Sequence, residues 1–570
     1  MKILKINIFI TALLFLQSCL NLDPEQQLAD SNIWETPAQF ELFANQFYGW
    51  VKDFNSLSDG PHSDHRSDLV TFESADIYSN GTNAVPPTEK SYTDTYNRLR
   101  QVNILLEKSE SYSLPEDIKV SVGEAHFFRA YLHFDLVQTY GDIAIANDIF
   151  TTSSPELSNP RSPRGEVIDF VIKDLRDAIS KLPAHKEISA SNAGRVSREA
   201  AQAFLSRVTL YEGTWQKFRG NKERGKELLK IAYEAADEVI KSGTFSIFKP
   251  KDLGTNAYKY LFTLENTKSN PASIGKNGNT EYIFVRRHDE IINPAGSITH
   301  GYFANVLYIT RKFANMFLNA TTGLPIDPTT WNYSKMDSEF NNRDNRMTNI
   351  MLVAGRPYWD NENGRITWKE DATDIAIASK KSFEPMYGSG YHNQKWCTER
   401  KVADGSEGYD FPVIRYAEVL LNYAEALFEY NSEAGNIDDK DLDKSLNLVR
   451  LRVNPDMPKL SNALVAANNL DMRTEIRRER TIELFMESFR VDDLKRWKTA
   501  ETEMPMPLRG IKWTGTEYAT TWAGNTKQKD SEGCIILESG RIWKDKNYLY
   551  PLPADQLKLN PNLKQNPGWE

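Results

Sequence analysis

The feature that most constrains the fold of this chain is helical periodicity. Long segments carry apolar residues along one helix face, which we call a stripe, and these segments occur in pairs. Residues 411–430 place apolar side chains at alternating steps of three and four, which is the spacing of a helix packed by one face. Ala417 and Ala424 have small side chains, so a neighbouring helix can approach that face closely. A second stripe, over residues 439–452, follows after a short turn. This segment is therefore predicted to form two packed helices.

Three earlier segments repeat the same arrangement of paired helices. The pairs are 38–53 with 92–109, 120–140 with 164–182, and 197–212 with 223–242. Helix pairs with alanine-rich faces that recur at this scale are typical of tetratricopeptide-like units. The sequence thus predicts a mainly α fold in which tetratricopeptide-like helical repeats form a right-handed superhelical scaffold, with loop-rich insertions and a few short strands.

Residues 246–410 have a different character. Asn, Gly, Pro, Ser and Thr are scattered through them, helical periodicity is weak, and strands such as residues 282–286 are short. Loops held by a rigid scaffold often carry binding residues. We therefore expect this segment to be a loop-rich insert that faces the ligand.

The N-terminus has the pattern of an export signal. Lys2 and Lys5 precede an apolar run over residues 6–16, which is too short to cross a bilayer as a helix but fits the core of a signal peptide. The run ends in Leu-Gln-Ser-Cys, which resembles the lipobox of bacterial lipoproteins. By that resemblance the chain is cleaved before Cys19, whose acyl chains anchor it stably in a membrane. A buried structural thiol is the alternative. Leu20, in place of Asp, argues against retention at the inner membrane.

Charge and cysteine content exclude several classes of protein. Removal of residues 1–18 takes away two lysines and changes the net charge from −9 to −11, which offers no attractive field for nucleic acid. Cys397 and Cys534 could pair, but two thiols make neither a disulfide framework nor a zinc site. The fold must therefore depend on its apolar core.

Four glutamates near the C-terminus, which we call the glutamate ladder, fall every four residues on one predicted helical face: Glu475, Glu479, Glu483 and Glu487. Glycoside hydrolysis uses two carboxylates, but they face each other across a cleft. Here the acids are neighbours on one helix, with arginines at i, i+3 spacing that favours local ion pairs. The predicted pairs are Glu475–Arg478, Arg480–Glu483 and Glu487–Arg490. We therefore interpret the ladder as scaffold, a charged helix docked by its apolar stripe.

Several motifs resemble those of the SusD/RagB family. RRERTIELFMESFRVDDLKRW at 477–497 is similar to the signature helix of that family. Matches continue in order along nearly the whole chain, among them GEAHFFRAYLHFDLVQTYGD at 123–142 and YLYPLPADQLKLNPNLKQNPGW at 548–569. One departure is Ser488, where the family usually has glycine, and it suggests less tight local packing.

The resemblance implies a non-catalytic lipoprotein of the bacterial outer membrane, exposed at the cell surface and without a cofactor. Such proteins pair with a SusC-like TonB-dependent transporter and act as a hinged lid over it. Their ligand is usually an oligosaccharide or polysaccharide, and in some relatives a peptide. Two rival hypotheses are a surface glycoside hydrolase and a repeat scaffold that binds only proteins.

Together these patterns predict five segments. They are a signal peptide (1–18), a lipid tether and N-terminal segment (19–37), a helical-repeat scaffold (38–245), a loop-rich ligand-facing insert (246–410), and a last helical repeat with the family's C-terminal region (411–570).

Sugar ligands stack their C–H faces on aromatic rings while polar groups bind their hydroxyls, so aromatic residues in loops are the candidates for a binding site. Those in the loop-rich insert are Trp331, Tyr333, Trp359 and Trp368. Another aromatic candidate is Tyr78, which precedes the helix predicted at 92–109. Tyr92 and Thr95, in that helix, lie near where members of the family that the chain resembles often place ligand-contacting residues. For any one aromatic, burial in the core is the alternative.

Two clusters contain side chains that can bind metal ions. His62 and His65 lie among aspartates, but their spacing matches no ligand motif, which favours a solvated loop. Residues 360–364, DNENG, are rich in oxygen ligands but lack the EF-hand pattern, which favours a turn. No metal site is predicted.

Overall fold

The computed structural model describes residues 34–267, 269–302, 307–335, 338–353, 357–358, 366–367, 388–398, 405–521, 523–524 and 526–570. This part of the chain is mainly helical, as the stripes predict. Its buried apolar side chains form one continuous core and a small satellite cluster. Within it, no helix is long and apolar enough to cross a membrane.

The N-terminal half contains the long helices. They are α1 (Pro37–Ala44), α2 (Lys90–Glu110), α3 (Lys119–Tyr140), α4 (Arg164–Lys181), α5 (Arg198–Lys217) and α6 (Lys222–Lys241). Side chains near the helix ends cap free backbone groups. For example, α5 begins after Ser197, whose hydroxyl accepts the backbone N–H of Ala200 at 3.1 Å.

Shorter helices follow, first in the middle of the chain and then in the C-terminal third. They are α7 (Ala257–Leu261), α8 (Ile298–Tyr302), α9 (Arg311–Met316), α10 (Asn345–Ile350), α11 (Tyr416–Asn431), α12 (Asp439–Lys444), α13 (Leu446–Arg450), α14 (Asn462–Ala467), α15 (Met472–Glu483), α16 (Arg490–Arg496), α17 (Ala500–Glu503), α18 (Glu517–Thr521) and α19 (Ala554–Leu559).

The strands in the described residues form antiparallel pairs. The pairs are β1 (Val70–Thr71) with β3 (Tyr308–Ile309), β2 (Tyr282–Arg286) with β6 (Phe411–Arg415), β4 (Pro357–Tyr358) with β5 (Ile366–Thr367), and β7 (Leu508–Lys512) with β8 (Cys534–Glu538). The register of β2 with β6 places Tyr282 opposite Arg415.

Consecutive long helices pack on one another from α2 to α6, and α11 then packs on α6 and on α15. Small residues allow the closest of these contacts. A side chain added at Gly213 of α5 would lie 2.9 Å from Leu229, and one at Gly225 of α6 would lie 2.9 Å from the Gly213 carbonyl oxygen. This stacking of neighbouring helices is the tetratricopeptide-like arrangement that the sequence predicts.

Four predicted helices are interrupted. The helix predicted at 38–53 ends at Ala44 and continues as a 3₁₀ helix over Asn45–Gly49. Residues 411–415, predicted to be helical, form strand β6, which pairs with β2 and is buried along its whole length. The helix predicted at 439–452 breaks at Ser445, whose φ of −131° and ψ of −97° lie outside the helical region. The signature segment at 477–497 ends one helix at Glu483 and begins another at Arg490.

Both remaining cysteines, Cys397 and Cys534, are free and buried, so they do not pair. The prediction of a solvated loop is wrong for His62, which is buried and bonds Asp492 (2.7 Å) and Asp135 (3.1 Å). The calcium candidate at 360–364 lies outside the described residues.

Candidate functional site

The glutamate ladder is one candidate for an acid–base site, and all four of its carboxylates are buried. Of the predicted local pairs, Glu475–Arg478 forms, with 3.1 Å between Nε and Oε2. The arginines of the other two predicted pairs bind elsewhere, as Arg480–Asp493 (2.8 Å) and Arg490–Asp68 (2.8 Å). The predicted pairs Arg480–Glu483 and Glu487–Arg490 are therefore wrong, because both arginines bind aspartates instead.

The cations that pair with the rest of the ladder come from distant segments. Arg415, at the end of β6, donates to Glu483 (2.7 Å) and to Glu487 (2.6 Å). Arg346 of α10 bridges Glu479 (2.7 Å) and Glu483 (3.3 Å). The remaining partners are Arg450, Arg452 and Lys395. The ladder thus joins the C-terminal helix to the middle of the chain.

The protonation of Glu483 reflects these partners. Burial alone would raise its pKa, but the guanidinium groups of Arg452, Arg415 and Arg346 outweigh burial and lower the pKa to about 2. A carboxylate held ionised by several cations is a poor proton donor near neutral pH. The ladder has the properties of a buried structural lattice and not those of an acid–base pair.

A cavity of about 530 Å³, which we call the α2 groove, opens between α2, the loop that joins α3 to α4, and α19. Its volume lies in the range of small-molecule binding sites. Tyr92 and Tyr96, one helical turn apart on α2, both line it, with ring centroids 4.9 Å apart. The full lining is Tyr92, Thr93, Tyr96, Asn97, Ala144–Asn147, Phe150, Glu156, Leu157, Asn159, Pro160, Ser162, Gln556, Leu559, Asn560 and Leu563.

The wall formed by the α3–α4 loop is fixed by side chains from behind. Asn103 of α2 donates from Nδ2 to the carbonyls of Ala146 and Asp148, both at 3.0 Å. On the other side, Asn560 donates to the carbonyls of Leu157 (3.0 Å) and Asn159 (2.8 Å). A groove whose loops are tied in this way loses little conformational entropy when a ligand binds.

The groove offers an apolar platform with amide groups around it. Tyr96 donates its hydroxyl to the carbonyl of Ala144 at 3.0 Å, and burial raises the pKa of Tyr92 and Tyr96, so both phenols stay neutral. At the rim, Leu157 is 50% and Leu559 is 78% exposed, which leaves apolar surface open to a ligand. Asn97 and Gln556 add amide groups. This combination suits a polyhydroxylated or amide-bearing oligomer.

Of the predicted ligand-binding residues, Tyr92 lines the α2 groove and Thr95 does not. Thr95 is buried and donates its hydroxyl to the Ser91 carbonyl at 2.8 Å. Tyr78 stacks on Tyr550, with centroids 4.6 Å apart and planes 9° apart. These residues therefore do not converge on one cavity.

The aromatics of the loop-rich insert lie elsewhere. Tyr333 is buried under the guanidinium group of Arg311, 4.1 Å from the ring centroid, and Arg343 lies 5.0 Å from the ring of Trp331. Trp359, Trp368 and the lipid-attachment residue Cys19 lie outside the described residues. Their roles stay predictions, as does that of the insert.

Sequence reasoning missed most of the groove. Tyr92 itself is buried, and Tyr96 lies one helical turn after it, so helical spacing could have found Tyr96. Phe150 and Gln556 come from segments about 400 residues apart, and no local pattern joins those segments.

Comparison with known proteins gives a family and a fold. A family model described as "SusD family" matches residues 264–569, and one described as "Starch-binding associating with outer membrane" matches residues 25–210. Two curated proteins of Formosa agariphila, SusD-like protein P38 and SusD-like protein P2, are each 24% identical to the chain. The alignments cover 87% of this chain and 90% of P38, and 100% of both chains for P2.

Solved structures share the fold at low identity. A SusD-like carbohydrate binding protein from Bacteroides fragilis has a TM-score of 0.72 and 22% identity, over 93% of this chain and all of that one. A second SusD-like protein from the same species has a TM-score of 0.71 and 22% identity, over 96% of this chain and 99% of that one.

Proposed function

This chain belongs to the SusD family, and from that premise we propose that it is a non-catalytic, cell-surface lipoprotein that binds a nutrient oligomer in the α2 groove. The ligand we propose is a glycan. The names of its relatives support this, because one similar structure is of a carbohydrate binding protein and one matching family model is described as starch-binding. Acylated Cys19 would hold it at the outer membrane, and a SusC-like TonB-dependent transporter would receive the ligand.

The α2 groove is the observation that carries the proposal. Tyr96, which is partly exposed and packs on the buried Tyr92, supplies an aromatic surface on which a sugar ring can stack, and the amides of the groove can bind hydroxyl groups. Because loops on both sides are tied down, the site is formed before the ligand arrives.

Peptide binding and glycoside hydrolysis are the two alternatives to glycan binding in the groove. A peptide-binding member of the family would use the same apolar rim and amides for side chains and backbone. A glycoside hydrolase would need two carboxylates, roughly 5–9.5 Å apart, at the scissile bond. Among the described residues that line the groove, Glu156 is the one carboxylate, which favours binding over hydrolysis.

Filling the groove tests the proposal. Asn97 lies on the exposed face of α2 inside the groove, so Asn97→Trp should block it without disturbing the core. Calorimetric titration against a panel of polysaccharides and peptides should give saturable binding of a glycan by the wild type, with at least a tenfold loss (about 1.4 kcal/mol) in the variant.

Glu110→Trp is the matched control, because Glu110 is exposed on the same helix but outside the groove. It should bind as the wild type does. Equal loss in both variants, or no effect of Asn97→Trp on a ligand that binds, would remove the groove from the proposal. Transfer to a transporter has a separate test, since the lipidated protein should co-purify with a large β-barrel.

A further inference from the structure

A second cavity, of about 220 Å³, lies between strand β2 and the turn at residues 193–195 and shares no lining residue with the α2 groove. We call it the β2 pocket. Its charged lining among the described residues consists of Arg195, Lys276, Arg287 and Asp410, with His185 and the amides Asn277 and Asn279 beside them. Cations predominate, although the whole chain carries a net charge of −9.

Two of these three cations are already neutralised. Arg195 forms a two-pronged pair with Glu124, at 2.7 and 2.6 Å, and also meets Glu41 at 3.5 Å. Lys276 pairs with Asp410 at 2.6 Å. The opposite charges within each ion pair cancel, so these groups neither attract nor repel an anion strongly.

Arg287 is the cation that remains. Its side chain is exposed and donates from Nη1 to the Ala193 carbonyl at 2.7 Å, and no carboxylate in the described part of the chain lies within ion-pair distance. Gly194, with φ of +93°, makes this position possible, because a Cβ there would lie 2.4 Å from Cδ of Arg287. The turn thus holds a guanidinium group across the mouth of the pocket.

His185 supplies a second unused group. Nδ1 of its ring is buried and has no hydrogen-bond partner among the described residues. The ring packs against Phe245, with centroids 4.8 Å apart. A buried polar atom without a partner costs free energy that a ligand can recover.

We propose that the β2 pocket binds an oxyanion, the carboxylate or sulfate group of an acidic ligand, between the guanidinium group of Arg287 and Nδ1 of His185. Guanidinium groups bind such anions through paired charge-assisted hydrogen bonds. The site is separate from the α2 groove and does not depend on the function proposed for that groove.

Titration with glucuronate, acetate, inorganic sulfate and glucose, at constant ionic strength, tests the proposal on the full-length protein. The three anions should bind in the millimolar range and glucose should not. Tighter binding of glucuronate than of acetate would assign the pocket to acidic sugars, and equal binding would assign it to free anions.

Arg287→Gln should weaken anion binding about tenfold, because it removes one charge-assisted contact. Arg176→Gln is the matched control, since Arg176 is exposed on α4 and has no ion pair among the described residues. It should leave binding unchanged. Failure of all three anions to bind, or equal binding by the wild type and Arg287→Gln, would overturn the proposal.

Discussion

Ser488 has a left-handed backbone, with φ of +63°, in the turn between α15 and α16. A side chain in this conformation costs about 1 kcal/mol, a cost that glycine does not have. The family's usual glycine therefore fits the turn, and the serine offsets part of its cost, because its hydroxyl donates to the Ser56 carbonyl at 3.1 Å. Buried Asp64 supports the same turn by accepting the backbone N–H groups of Glu487 and Arg490, both at 3.1 Å.

Substitutions at Ser488 should separate these two effects. Ser488→Ala keeps the backbone strain and loses the hydrogen bond, so the free energy of unfolding should fall by about 1 kcal/mol. Ser488→Gly loses the same bond but relieves the strain, so it should leave stability within about 0.5 kcal/mol of the wild type. Denaturant unfolding of both variants provides the measurement, and an alanine variant as stable as the glycine variant would contradict the account.

At the scale of elements, α15 is held by buried ion pairs to β6, α10 and α13. Glu483 contacts three guanidinium groups in the core, whereas Glu475, which is also buried, has one partner, the partly exposed Arg478. Removing the charge of Glu483 leaves three buried cations uncompensated, whereas removing that of Glu475 leaves one cation that water can reach, which costs much less.

Two substitutions of the same kind measure this difference. Glu483→Gln should lower the free energy of unfolding by about 3–5 kcal/mol, and Glu475→Gln by about 1 kcal/mol or less. Thermal and denaturant unfolding of both variants would show it. Equal losses would mean that the buried lattice does not stabilise the fold.

Buried ion pairs also predict loss of stability in acid. Nearby guanidinium groups outweigh burial and lower the pKa values of Glu483 and of Glu425, which pairs with Arg496, to about 2. Arg490 and Lys312 likewise lower the pKa of Asp68. As the pH falls from about 4.5 to about 2, the unfolded state takes up these protons first, so the free energy of unfolding decreases.

Asp64 opposes this trend, because burial raises its pKa to about 6, and burial also raises the pKa values of Glu124, Glu339 and Glu538. Among the described residues, more carboxyl groups have a lowered pKa, including Asp135, Asp174 and Asp492. Urea denaturation between pH 7 and pH 3 should therefore show a falling midpoint below about pH 4.5. A midpoint that stays constant or rises in that range would contradict the prediction.

How far the sequence predicts these elements depends on where their contacts lie. The long helices α2 to α6 follow from apolar stripes, because a stripe is local and its end is marked by caps and turns. The breaks in helical structure at Arg415, Ser445 and Glu483 cannot be predicted in this way, since apolar residues continue across each of them. The partners of the ladder, such as Arg346 and Arg415, and the walls of the α2 groove come from remote segments that only the fold brings together.

At the scale of the whole molecule, two cavities in the described part of the chain differ in chemistry. The α2 groove is apolar with amides, and the β2 pocket carries the guanidinium group of Arg287, which has no ion pair among the described residues. Neither cavity is lined by Trp331 or Tyr333. In the proposed function, the body would remain tethered through Cys19 while it passes its ligand to a transporter.

The most direct test is a crystal structure of the protein with the longest oligosaccharide that it binds in titration. The account predicts an unbroken oligomer in the α2 groove, with a sugar ring over Tyr96 and an amide of Asn97 or Gln556 on its hydroxyl groups. An oligomer bound instead beside Trp331 and Tyr333, or one found shortened in the groove, would contradict it.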